Sequence, residues 1–71
     1  MLVHVTDEPA LRELVSFLEA GALVVRHRAP DAVQVHVPLA STRDEARREL
    51  AIYVATWRAM HPGVAVAVSA E

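Results

Sequence analysis

The sequence predicts a small α+β domain of element order β-α-β-β-α-β, and three observations carry that prediction. Residues 22–28 and 32–37 are two runs rich in β-branched side chains, joined by the short turn Ala29-Pro30-Asp31, and together they read as a hairpin. One strand-like and one helix-like run precede the hairpin. A second helix-like run and a last alternating run follow it.

Length and composition set the bounds. A chain of 71 residues has room for one domain, residues 1–71, and hides only roughly 60% of the surface that its unfolded form exposes. With 54% hydrophobic and 23% charged residues, it carries more apolar surface than one small core absorbs, which excludes disorder by composition and points to self-association. Without cysteine there is no disulfide framework and no thiolate zinc site. No apolar run reaches the roughly 18 residues of a membrane span, and the first residues lack the pattern of a signal peptide, so the cytoplasm is the expected compartment. The net charge of −2, with seven arginines and no lysine, argues against a nucleic-acid partner.

Taken in order, Leu2-Val3-His4-Val5-Thr6 alternates and is expected to be the first strand. At Asp7-Glu8-Pro9, Asp7 suits an N-cap, Glu8 the positive end of a helix dipole and Pro9 the first turn. Leu11, Leu14, Val15 and Leu18 then fall on one stripe of a helix running to Ala20, with Phe17 at its edge. Gly21 is expected to supply a left-handed residue that stops the helix. In the hairpin, Pro30 presets the first central position of a type I turn.

Pro38 ends the third strand near Val37. Ser41 with Asp44, or Thr42 with Glu45, then forms a capping box, the second pair fitting the motif better. The second helix is expected to reach Met60, burying Ala46, Leu50, Tyr53, Val54, Trp57 and Met60 or His61. Ala51, Ile52, Ala55 and Ala59 form a flank less polar than solvent requires. Arg47 and Arg48 are expected to pair with Asp44, Glu45 and Glu49 one turn away. His61-Pro62-Gly63 breaks the helix. Residues 64–68 alternate strictly between valine and alanine and make the fourth strand, followed by a short tail, Ser69-Ala70-Glu71.

With right-handed crossovers this order gives the ferredoxin-like, split β-α-β arrangement: a four-stranded antiparallel sheet of spatial order 4-1-3-2 with both helices on one face. Strands one and three are then central. Alternation assigns Val3, Val5, Leu23, Val25, Val33, Val35, Val37, Val64, Val66 and Val68 to the helix-covered face. The open face, expected to be the interface or ligand face, shows Leu2, His4, Val24, Arg26, Arg28, Gln34, His36, Ala65 and Ala67.

His4 and His36 lie on the two central strands and are the candidate metal ligands, since imidazole suits zinc, copper or nickel. No third donor shares their face, so no metal site and no cofactor is predicted. The carboxylates fall on helix starts, helix surfaces, the turn and the tail, and there is no phosphate loop, GxSxG or HExxH. A catalytic role is therefore not expected.

In length and element order the chain is similar to small regulatory modules of the ACT type. Those bind amino acids at a dimer interface beside a glycine-containing turn after the first strand. Here that turn is Thr6-Asp7-Glu8-Pro9, with no glycine, so the resemblance carries over no ligand residue.

The sequence thus points first to a non-enzymatic binding or assembly module, a homodimer joined through its open sheet face or a sheet edge. The edge formed by strand four, which has no charge, is the expected pairing edge. The alternatives are a small-molecule or metal-responsive sensor using His4 and His36, and a single-stranded RNA binder using Arg26 and Arg28.

Overall fold

A computed structural model describes residues 1–69. It is an α+β structure of two helices and one four-stranded antiparallel sheet: β1 (Leu2–His4), α1 (Glu8–Ala20), β2 (Val24–Ala29), β3 (Ala32–His36), α2 (Arg43–Met60) and β4 (Ala67–Ser69). The strand order is β2-β3-β1-β4, the expected order read from its other edge. Ser69 belongs to β4, and Ala70 and Glu71 of the expected tail lie outside the described residues.

The core sits between the sheet and both helices. Val3, Val5, Leu23, Val33, Val35 and Val37 meet Leu11, Leu14 and Leu18 of α1 and Leu50, Val54 and Trp57 of α2 in one cluster. Strand parity is therefore as expected on the three strands nearest the helices. On the last strand the parity holds but the cover does not. Val68 pairs with the fully buried Val3, yet stays 44% exposed.

Helix ends show where local rules were redirected. Thr42 caps α2, its Oγ1 accepting from the Glu45 amide at 3.1 Å, which is the second of the two expected registers. Asp7 holds the N-cap position of α1, but its carboxylate makes no capping bond. The expectation for Gly21 is corrected. Its φ is −85°, and Ala22 takes the left-handed conformation at φ 67°. The Leu23 amide donates to the Leu18 carbonyl at 3.1 Å and the Ala22 amide to Glu19 at 3.0 Å, the paired bonds of a Schellman ending with Leu23 and Leu18 as its apolar contact. Gly21 is needed for space: a Cβ there would lie 2.5 Å from Tyr53 Cε1.

Strand lengths are shorter than alternation suggested. β1 ends at His4, although the Val5 amide still donates to the Asp31 carbonyl at 2.9 Å in register with β3. On the other side of β1 the pairing with β4 runs from His4 opposite Ala67 to Leu2 opposite Ser69, so β4 begins only at Ala67. In the hairpin neither Pro30 nor Asp31 has positive φ, so the turn is not of the mirror-image type that matches strand twist. The register shifts between His27 and Ala29, where Arg28 is the extra residue of a bulge that restores the twist.

Candidate functional site

Three surfaces bring functional side chains together: the open sheet face, a groove between α2 and β4, and a recess where β3 leads into α2. On the open face Val24 lies opposite His36 and Arg26 opposite Gln34. Arg28 Nη1 donates to Gln34 Oε1 at 2.8 Å. Val24 is 44% exposed, Arg26, Arg28 and His36 are exposed, and Leu2, His4 and Gln34 are half-buried. Ala67 stands opposite His4 and Ala65 is exposed beyond the ladder. This face is polar and cationic along β2 and β3, and small and apolar along β4.

The register separates the two histidines. His4 pairs with Ala32, four residues before His36, which is about 13 Å along an antiparallel strand. Two imidazole nitrogens on one ion lie within about 4 Å of each other. The fold therefore does not bring His4 and His36 into a common site. Among the described residues no group of three or more His, Asp or Glu side chains could hold a metal ion.

The groove lies at the other edge of the sheet. Ala51, Val54, Ala55, Val66 and Val68 line it, with Arg47 and Arg58 at its rim, and it encloses about 400 Å³. The less polar flank of α2 is not covered by α1. Ala51, Ala55 and Ala59 are exposed, as is Ile52 at 66%.

The recess has a volume of about 250 Å³ and is lined by the apolar residues Met1, Val35, Val37, Ala40 and Ala46 and by His36, Thr42, Arg43 and Arg47. The expected pairing of Arg47 and Arg48 with the α2 carboxylates is not formed. Among the described residues Arg12 forms an ion pair with Glu8 at 3.9 Å, and His61 Nε2 lies 2.9 Å from Glu13 Oε2.

Of the two residues expected to end the buried face of α2, Met60 is 55% exposed and His61 is half-buried. Its ring stacks on Trp57 with centroids 4.1 Å apart, its Nδ1 donates to the Trp57 carbonyl at 3.0 Å, and its Nε2 faces Glu13. It thus ties the end of α2 to α1. No sequence spacing signals a contact between elements so far apart in the chain.

No family model, curated protein or solved structure matches this chain. Among the described residues, no helix is long and apolar enough to cross a membrane.

Proposed function

We propose that this chain is a non-catalytic assembly module that forms a two-fold homodimer through the β4 edge and the adjoining flank of α2, completing a ferredoxin-like domain as half of a continuous eight-stranded sheet. The observation that carries this reading is the apolar strip made by Val66 and Val68 with Ala51 and Ala55, flanked by Arg47 and Arg58, beside the edge strand β4. An open apolar edge is a template for another chain.

A second copy fits that edge for a reason written in its residues. Val64-Ala65-Val66-Ala67-Val68 reads the same in both directions, so two copies running antiparallel about Val66 would set valine opposite valine, with residues 64–66, which precede β4 in the single chain, joining the strand on pairing. An isologous contact needs such self-complementarity. The β2 edge lacks it: two copies paired about His27 would set Arg26 against Arg28, and the bulge there twists the edge away. The open face is the less suitable surface because Arg26, Arg28, Gln34 and His36 would need polar partners. A standard interface takes about 800 Å² from each partner, roughly a sixth of this chain's 4576 Å².

Sedimentation velocity tests the proposal. The purified chain is expected to sediment as a dimer at micromolar concentration. Ala55→Arg, which sets a charge in the groove, is expected to give a folded monomer, whereas Val24→Arg on the open face leaves the dimer intact. A strict monomer at concentrations on the order of 100 μM, where even weak interfaces fill, would overturn it. Dissociation by Val24→Arg alone would move the interface to the open face.

A further inference from the structure

We propose that the recess between β3 and α2 binds a small carboxylate that carries an apolar body, with Arg43 and Arg47 as the residues that hold the anion. The inference is separate from the dimer reading. At about 250 Å³ the recess is smaller than the roughly 300–1,000 Å³ pockets that take drug-sized ligands, so its occupant is a small acid and not a nucleotide.

Arg43 and Arg47 are four apart on α2 and stand one above the other on one helix face. Both line the recess, and neither has an ion-pair or hydrogen-bond partner among the described residues. Asp44 and Glu45, the acids of the same turn, do not line it. The guanidinium fork matches a carboxylate with two parallel bonds. Met1, whose terminal ammonium donates to the Val35 carbonyl at 3.4 Å, also lines the recess and adds positive charge there. Beneath these groups Val35, Val37 and Ala46 present an apolar floor, which distinguishes an acid with a hydrocarbon body from a bare anion.

The test is an NMR titration of the full chain with isovalerate, isovaleramide and inorganic phosphate. Isovalerate is expected to give saturable shifts at His36, Ala40 and Ala46, with the amide and phosphate each about tenfold weaker, the factor that one charge-assisted bond supplies. Arg43→Gln with Arg47→Gln is expected to weaken isovalerate at least about tenfold, and Arg48→Gln, outside the recess, to leave it unchanged. Equal binding of acid and amide, phosphate binding as well as isovalerate, or unaltered shifts in the double variant would overturn the proposal. If the double variant does not fold, Ala46→Leu fills the floor instead, and isovalerate binding that survives it is equally fatal. Arg47 also borders the α2–β4 groove, so sedimentation of each variant separates loss of ligand from a change in assembly.

Discussion

Gly21 and Ala22 divide two demands that a single glycine usually meets at a helix end. The left-handed conformation falls on Ala22, where an L side chain costs about 1–2 kcal/mol. The missing Cβ is required one residue earlier, under the Tyr53 ring. Ala22→Gly relieves the strain but frees the unfolded chain by about 0.4–1 kcal/mol, so a net gain of about 0.5–1 kcal/mol in urea unfolding is expected. Gly21→Ala forces the ring of Tyr53 aside and breaks its bond to the Gly21 carbonyl. That overpacking is expected to cost about 1–3 kcal/mol in the same assay. The glycine was legible as a helix stop because it follows the last apolar position. Its role was not, because the ring it accommodates belongs to a residue 32 positions away.

At the level of elements, the caps of the two helices differ in a measurable way. Thr42 bonds the Glu45 amide, so Thr42→Ala is expected to lower stability by about 1 kcal/mol. Asp7 makes no such bond and acts only through its charge near the helix dipole, so Asp7→Ala is expected to cost about half as much or less. Thermal unfolding of the two variants side by side checks the order. Helix extents were readable in the sequence almost to the residue, because the 3.6-residue repeat and the breakers at Gly21 and Pro62 are properties of the segments themselves. Strand extents were not. Residues 64–68 alternate without a fault, yet pairing with β1 begins only at Ala67, opposite His4, and where a ladder begins is set by the partner strand and not by the segment's own alternation. The candidate sites follow the same division. Which face each side chain takes was legible from alternation. The distance from His4 to His36 depends on register, and the recess beside Arg43 and Arg47 on how α2 leaves β3, neither of which any local pattern records.

For the whole molecule, sheet order makes β1 and β3 the interior strands and leaves β2 and β4 as unlike rims. The first is long, bulged and cationic. The second is short and uncharged. That asymmetry is what places the proposed interface on the β4 side, with Arg47 the one residue shared by the groove there and the recess at the start of α2. The brevity of β4 has one more consequence. Among the described residues Ala67, Val68 and Ser69 attach it to β1, while β2 and β3 share five paired positions, so the last strand is expected to open most readily to solvent. Amide deuteration at Ala67 and Val68 is expected to be fast in dilute protein and to slow as concentration rises, while the rate at Val33 stays constant. The rim that loosens first would thus be the one whose firmness a second copy supplies.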